Sequence, residues 1–197
     1  MSIGVALVVA SLGVVSAAFP RRTLAQESTY RGSYELEFTG SSTLHAFHGD
    51  VPEQQFELRS ATIAGGKRYF AEIELAVEEL TTGSGRRDLH MYSMFRVERW
   101  PKIRAVFDAI DPRRARPPDS PSQGGRGTLE FKLTIGDRTR SVEAQTRDWR
   151  EDDEEASFLV EFDVSLRDFD LQAPRALLVI QVDDRVAVRV RISLSKR

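Results

Sequence analysis

The chain has 197 residues, of which 41% are hydrophobic and 29% are charged, so its composition is that of a globular protein and not of a disordered or fibrous one. A domain of this length buries enough surface to fold without cross-links. The chain contains no cysteine, which excludes a disulfide scaffold, a Cys-ligated zinc site, an iron–sulfur cluster and a lipoprotein anchor. The formal net charge of −2 gives no indication of a nucleic-acid partner.

The N-terminal segment, residues 3–19, is apolar and is interrupted only by glycine and serine. It is shorter than the roughly 20 residues that span a bilayer comfortably, and small residues follow it. We predict a signal peptide over residues 1–25 with cleavage after Ala25. An uncleaved N-terminal anchor, with Arg21 and Arg22 on its flank, is the alternative. The mature domain then covers residues 26–197, and the predicted location is periplasmic or secreted.

From residue 33 onward, apolar and polar residues alternate with a period of two, which is typical of half-buried β-strands. The strongly alternating segments are residues 34–39, 56–59, 72–78, 129–135, 158–164 and 185–194. Weaker segments are residues 43–51, 103–109, 141–149 and 177–181. Eight to ten amphipathic strands, mostly joined by short turns, predict an antiparallel sandwich or a closed barrel.

Three segments break this alternation. Apolar residues at positions i, i+3 and i+6 predict a short helix over Gly85–Phe95, and residues 166–173 fit a turn or a second short helix. Residues 111–127 contain four prolines and a pair of glycines. We predict that this Pro-rich segment is a long exposed loop inside one domain, because it is too polar and too broken to pack.

Four short stretches occur in a characteristic order. Residues 38–49 read FTGSSTLHAFHG, and residues 80–82 and 87–90 read LTT and RDLH, ahead of RWPKI at residues 99–103. Residues 127–142 read GTLEFKLTIGDRTRSV, and RDF at residues 167–169 precedes VDDRV at residues 182–186. Together they resemble the YceI-like family of bacterial proteins over about residues 34–194.

This resemblance implies an all-β fold: a single antiparallel, eight-stranded, lipocalin-like β-barrel with one or two short helices. It also implies a carrier whose apolar lumen holds a polyisoprenoid or a similar long-chain lipid. The function expected from it is sequestration without catalysis, with no cofactor other than a bound lipid. The expected partner is a hydrophobic small molecule, not a nucleic acid. The oligomeric state is left open between a monomer and a homodimer.

The candidate ligand-binding residues are the large apolar side chains that would face the lumen. They are Leu44, Phe47, Phe56, Leu58, Phe70, Ile73, Leu75, Tyr92, Phe95, Phe107, Phe131, Leu133, Phe158, Phe162, Val188 and Val190. In a water-soluble barrel the alternating charged residues Glu130, Lys132, Arg189 and Arg191 must then face solvent. The same side chains form the core of a filled barrel, and the resemblance is what favours a cavity.

Three polar residues, His45, His90 and Asp88, are candidate contacts for a ligand head group at the barrel mouth. A buried, hydrogen-bonded histidine and a helix-capping aspartate are the structural alternatives. His45 and His48 would face opposite sides of a strand, so we predict no metal site. No catalytic motif is visible. One competing function is an enzyme with a loop-assembled site near His45, His90 and Asp88. Another is an outer-membrane barrel, because alternation alone does not say whether the apolar face of each strand points into the barrel or outward to lipid.

Overall fold

The computed structural model describes residues 27–42, 46–63, 66–117, 125–172 and 182–196, and these residues form eight β-strands. The strands are β1 (Ser28–Ser42), β2 (Ala46–Ile63), β3 (Gly66–Ala76), β4 (Lys102–Ile110), β5 (Gly127–Ile135), β6 (Arg138–Glu151), β7 (Glu155–Ser165) and β8 (Val182–Lys196). Each strand pairs antiparallel with the next, and β8 pairs with β1 to close the barrel. The predicted eight-stranded antiparallel barrel is therefore confirmed.

Two short α-helices accompany the strands in the described part of the chain. The first, α1 (Gly85–Phe95), has the predicted bounds, and the second, α2 (Pro112–Ala115), follows β4. Single 3₁₀ turns lie at Val77–Glu79 and Arg167–Phe169, the second inside the segment predicted as a turn or short helix. Within the described ranges, neither helix has the length and apolar character that crossing a bilayer requires.

The two ends of the barrel differ in structure. We call the end at which the odd-numbered strands begin the mouth end, and the opposite end the closed end. Helix α1 and both 3₁₀ turns lie at the closed end, whereas α2 lies at the mouth end. The closed end is filled by a buried apolar cluster against which Met91, Tyr92 and Phe95 of α1 pack. The buried members of this cluster are Phe38, Val51, Leu75, Val77 and Leu80.

Strand β2 joins two segments that the alternation pattern separates. Tyr34 of β1 pairs with Gln54, but Leu36 pairs with Val51, so two residues of β2 lie opposite the single residue Glu35 and β2 has one extra residue at this bulge. The bulge reverses the alternation of β2, and Val51 before it and Phe56 after it both face inward although one position number is odd and the other even. The predicted strand at residues 177–181 lies outside the described residues.

The outer face of the barrel carries charged side chains that pair across strands. Arg104 contacts Glu72 at 2.5 Å and Lys102 contacts Glu74 at 2.6 Å, with all four side chains largely exposed. The four residues predicted to face solvent, Glu130, Lys132, Arg189 and Arg191, are exposed. This polar exterior fixes the register, because a slip by one residue would bury the charges.

The Pro-rich segment packs more closely on the barrel than its composition predicts. Its first residues form α2, whose Ala115 is only 6% exposed and whose backbone carbonyl accepts a hydrogen bond from the Thr146 hydroxyl. A Cβ at Gly127 would collide with the Ala115 carbonyl, so only glycine allows this approach. The expectation of a wholly exposed loop is therefore wrong for α2, and residues 118–124 lie outside the described residues.

Candidate functional site

A cavity of about 450 Å³ occupies the mouth-end half of the barrel. All eight strands and α2 contribute to its wall, and nearly all of the wall below the rim is aliphatic or aromatic. The volume lies within the range of about 300–1,000 Å³ that is usual for small-molecule sites. The interior can therefore accept an apolar group but offers little to orient a polar one.

Stacked aromatic rings form much of the cavity wall. The Phe131 ring lies between Phe107, with ring centroids 4.9 Å apart, and Phe162, which it meets edge-on at 5.2 Å. Phe56 packs beside Tyr34 with centroids 6.2 Å apart, and its ring occupies the space that a side chain at Gly32 would need. Burial raises the pKa of the Tyr34 phenol, so this hydroxyl stays neutral in the wall.

The rim of the cavity is polar and lies at the mouth end. Two cations, Lys67 and Arg116, line it. Four carboxylates from the turn between β6 and β7 also line it, and these are Glu151, Asp152, Glu154 and Glu155. Trp149 stacks on Phe158 just inside this turn, with ring centroids 4.3 Å apart. The polar rim marks the opening through which the apolar interior meets solvent.

Ten of the sixteen predicted lumen residues line the cavity. They are Phe56, Leu58, Ile73, Leu75, Phe107, Phe131, Leu133, Phe158, Phe162 and Val190. They come from six different strands, which the closed barrel brings together around one space. Their role in binding a ligand stays a prediction.

The other predicted lumen residues lie elsewhere. Phe47, Tyr92, Phe95 and Val188 pack in or against the apolar cluster of the closed end, so they form the floor beneath the cavity. Phe70 is corrected to the outer face of β3, because its neighbours Tyr69 and Ala71 are the ones that line the cavity and side chains alternate along a strand. Leu44 lies outside the described residues.

Two of the three predicted head-group residues, Asp88 and His90, do not lie at the mouth. Asp88 and His90 belong to α1 at the closed end, where His90 is exposed and Asp88 is buried. The Asp88 carboxylate accepts hydrogen bonds from the Thr82 backbone N–H (2.8 Å), the Thr82 hydroxyl (2.5 Å) and the Thr81 hydroxyl (3.3 Å).

Burial alone would raise the pKa of Asp88, but its hydrogen bonds from Thr82 and Thr81 hold it below the ordinary value. Asp88 therefore anchors the turn that precedes α1. This role is structural and replaces the predicted contact with a ligand head group. His45 lies outside the described residues. Neither Asp88 nor His90 reaches the cavity, because each lies at the opposite end of the barrel from its rim.

Several cavity residues were not predicted from the sequence. Tyr34, Leu36, Val160 and Ile192 continue the inward alternation of their strands, so the period-two pattern could have identified them. Other unpredicted lining residues depend on features that this pattern does not reveal, and among them are Tyr30, Lys67, Tyr69, Ile110 and Trp149. They lie near strand ends, where the alternation fades or a bulge resets it.

The described residues contain no cluster of three or more side chains suited to hold a metal ion. His48 of the H-x-x-H pair is exposed, and its Nδ1 lies 3.0 Å from the hydroxyl of Thr39 on the neighbouring strand. This contact belongs to the outer surface near the closed end and is separate from the cavity.

Comparison with known proteins agrees with this architecture. A family model described as a YceI-like domain matches residues 20–194. BcnA of Burkholderia cenocepacia, a crystal structure, aligns with a TM-score of 0.60 at 13% identity, covering 81% of this chain and 95% of that chain. A polyisoprenoid-binding domain from Saccharophagus degradans aligns with a TM-score of 0.61 at 12% identity, covering 87% and 100%. No curated protein matches the chain significantly in sequence.

Proposed function

The chain belongs to the YceI-like domain family, and we propose that it is a non-catalytic binding protein that holds the apolar chain of a long-chain amphiphile in its barrel cavity. The observation that carries this proposal is the cavity itself, a space of about 450 Å³ with an apolar wall, a sealed floor and a polar rim at one end. An apolar chain fits the wall, and a polar head group fits the rim.

The expected ligand is a polyisoprenoid or a similar long-chain lipid. The Saccharophagus degradans domain with the same fold is named as polyisoprenoid-binding. Burying each CH₂ group contributes about 0.8 kcal/mol, so ten of them contribute about 8 kcal/mol. Association itself costs about 4–15 kcal/mol. Affinity should therefore rise steeply with chain length until the cavity is full.

Two other functions receive less support. The enzyme hypothesis required a site around His45, His90 and Asp88, but Asp88 and His90 lie at the closed end and the Asp88 carboxylate is engaged by Thr81 and Thr82. The outer-membrane hypothesis required an apolar exterior. The cross-strand pairs Arg104–Glu72 and Lys102–Glu74 place charges on that face, where a lipid environment would not solvate them.

We also propose that the protein is exported, in keeping with the predicted signal peptide over residues 1–25. N-terminal sequencing of protein recovered from the periplasm or the medium of its host should then begin at Gln26. A start at Met1 in that fraction would contradict cleavage.

The test of the binding function is native mass spectrometry of the protein purified from its own host, followed by titration with prenols of increasing chain length. We expect one lipid per chain in the native spectrum and an affinity that increases with prenol length. A protein that carries no lipid and binds no prenol of any length would overturn the proposal.

A further inference from the structure

One side of the cavity mouth concentrates cations. Arg113 and Arg114 of α2 extend into solvent, and Lys67 and Arg68 lie beside them at the start of β3. The Asp111 carboxylate, at the N-terminus of α2, lies 3.4 Å from the Arg68 guanidinium and 3.1 Å from the Arg113 guanidinium. This carboxylate therefore joins α2 to β3, and we call the surface formed by these five residues the basic corner.

The basic corner has an excess of positive charge. Its one carboxylate is shared by Arg68 and Arg113, and neither Lys67 nor Arg114 forms an ion pair among the described residues. The hydrogen bond from the Lys67 ammonium to the Tyr30 hydroxyl raises the pKa of Lys67, so this side chain is protonated at neutral pH. Four cations thus face a single carboxylate.

The charged residues around the basic corner leave this excess in place. As many carboxylates as cations surround it in the described part of the chain, so their charges balance. The surrounding cations are Arg31, Arg59 and Arg126, and the surrounding carboxylates are Glu27, Glu57 and Asp108.

The acidic turn between β6 and β7 lies on the opposite side of the mouth. Arg116 and Arg150 compensate part of its charge. In the closed ring of eight strands, this turn and the basic corner at the start of β3 are about four strands apart. Neighbouring strands lie about 4.8 Å apart, so the separation exceeds the Debye length of about 10 Å in physiological salt. The turn therefore has little effect on a charged surface that approaches the basic corner.

An exposed aliphatic side chain lies next to the basic corner. Ile63, the last residue of β2, is 48% exposed and pairs with Gly66, directly before Lys67. Cations beside an exposed apolar side chain are typical of proteins that bind to the surface of a lipid bilayer. Leu89, which is 68% exposed on α1, offers a comparable side chain at the closed end.

The basic corner borders the opening of the cavity. Lys67, Pro112 and Arg116 line the cavity at its rim, and Ala115 of α2 is part of the same wall. A surface that contacts the basic corner therefore lies against the opening. An apolar chain can then pass between that surface and the cavity without crossing bulk water.

We propose that the basic corner and Ile63 dock the mouth of the barrel on a bilayer that contains anionic phospholipids. The formal net charge of the chain is −2, so the attraction is local, and the barrel tilts to place the β2–β3 side against the lipid. The acidic turn then faces away from the bilayer. This inference goes beyond the proposed binding function, because it assigns a partner surface whatever ligand fills the cavity.

Vesicle cosedimentation tests the docking. The protein used is residues 26–197, which keep all eight strands and omit the apolar N-terminal segment. One set of vesicles contains equal parts of phosphatidylcholine and phosphatidylglycerol, and the other contains phosphatidylcholine alone. We expect the mixed vesicles to bind about tenfold more tightly. Added salt should reduce this difference, because the charges involved are exposed.

Charge variants locate the contact. Arg113→Gln/Arg114→Gln should weaken binding to the mixed vesicles about tenfold, because a basic residue near an anionic surface contributes about fivefold and Arg113 is shared with Asp111. The matched control is Arg86→Gln/Arg140→Gln, which removes two exposed arginines at the closed end and changes the net charge equally. The control should bind as tightly as the unmodified protein.

Apolar and labelled variants determine the orientation. Ile63→Ser should weaken binding severalfold, whereas Leu89→Ser should leave it unchanged. Because the chain contains no cysteine, Ile63→Cys and Leu89→Cys each allow a single environment-sensitive dye to be attached. On mixed vesicles the emission of the dye at position 63 should shift to the blue, and that of the dye at position 89 should not.

Three results would overturn the proposal. The first is equal binding to both kinds of vesicle, and the second is a blue shift at position 89 without one at position 63. The third is a loss of binding in the Arg113/Arg114 variant with no effect of Ile63→Ser, because the basic corner would then be a site for an acidic protein and not for a bilayer.

Docking and ligand binding fail in different ways. A protein that binds prenols delivered from cyclodextrin but binds no vesicles contradicts the docking alone. A protein that binds the mixed vesicles through the basic corner but binds no prenol supports the docking and contradicts the carrier function.

Discussion

The indole of Trp149 stacks on the ring of Phe158 at the cavity mouth, with centroids 4.3 Å apart and planes 12° from parallel. A bulge in β6 creates this contact. Asp148 has a left-handed φ of 55°, and the register of β6 with β7 shifts between Arg147 and Arg150. Without the bulge, strict alternation from the inward Ala144 and Thr146 would place Asp148 inside and Trp149 outside.

This position makes Trp149 a reporter of cavity occupancy. We expect binding of a non-fluorescent long-chain alcohol to shift the tryptophan emission, because the ligand displaces water from beside the indole. The second tryptophan, Trp100, lies near the closed end against Arg99. The shift should persist in Trp100→Phe and disappear in Trp149→Phe. A shift of unchanged size in Trp149→Phe would place the ligand away from the mouth.

The bulges show how far alternation alone predicts this fold. The strands were predictable because a soluble barrel needs one apolar and one charged face on every strand, which gives a period of two. Helix α1 was predictable from the spacing of its apolar residues, and the short turns between strands indicated antiparallel order. The bulges at Pro52–Glu53 and Asp148 reset the alternation, and the period-two pattern does not itself show where such a reset occurs. The sequence therefore predicted two strands where β2 is one, and it did not place Trp149 in the wall.

The site was predictable in its apolar part and not in its polar part. A phenylalanine such as Phe131 faces inward for the same reason that Glu130 faces water. Polar residues near strand ends give no such signal, because whether they lie at the cavity opening depends on which end of the barrel is open. That end is decided by α1, which seals the other one through Tyr92 and Phe95. Asp88 and His90 come with α1 to the closed end, and Lys67 lies at the mouth.

The position of Asp88 predicts a stability defect without a binding defect. The Asp88→Ala variant removes the acceptor of three hydrogen bonds at a buried site. We expect a loss of about 1–3 kcal/mol in the free energy of unfolding, because the Thr82 N–H and the threonine hydroxyls lose their partner. Urea denaturation measures this loss, and prenol titration of the folded variant should give the affinity of the unmodified protein.

The exposed neighbour His90 supplies the control for Asp88. His90→Ala lies on the same helix and should change neither stability nor affinity by a measurable amount. A marked loss of prenol affinity in either variant, with the protein still folded, would restore these residues as head-group contacts.

The ion-pair network on the outer face predicts how stability depends on pH. Arg147 donates to both carboxylate oxygens of Glu161 at 2.7 Å, and Arg189 donates to one of them at 3.0 Å. The hydrogen bonds from Arg147, supported by the one from Arg189, lower the pKa of Glu161 from 4.5 to about 2. The unfolded chain therefore takes up the proton first as the pH falls. The stabilisation is fully present above about pH 4.5 and is lost progressively toward pH 2.

Replacing Glu161 with Gln tests this linkage. We expect the variant to lose about 1–2 kcal/mol at pH 7, a modest value because the pair is partly exposed to solvent. The difference from the unmodified protein should shrink between pH 4.5 and pH 2. Glu143→Gln is the matched control, because Glu143 is exposed on β6 and forms no ion pair among the described residues. If Glu161→Gln is destabilised at pH 2.5 by as much as at pH 7, then packing, and not charge, is responsible for the loss of stability.

Two buried valines on adjacent strands distinguish an occupied cavity from a filled core. Val190 of β8 lines the cavity, whereas Val164 of β7 is buried in the same apolar core without lining it. They are 9% and 8% exposed, so the substitutions Val190→Phe and Val164→Phe add the same volume at equally buried sites. Overpacking a filled site typically costs about 1–3 kcal/mol. A ring at position 190 can instead enter the cavity, where it takes the volume that the ligand would use.

We therefore expect opposite results from the two variants. Val164→Phe should lower the free energy of unfolding by about 1–3 kcal/mol and leave prenol affinity unchanged in the folded fraction. Val190→Phe should remain close to the unmodified protein in stability and lose prenol affinity, with the longest prenols affected most because they need the whole cavity. Denaturation of the ligand-free proteins and titration with a prenol series measure both quantities. If Val190→Phe unfolds as Val164→Phe does, the space beside Val190 behaves as packed core and the carrier function loses its structural basis.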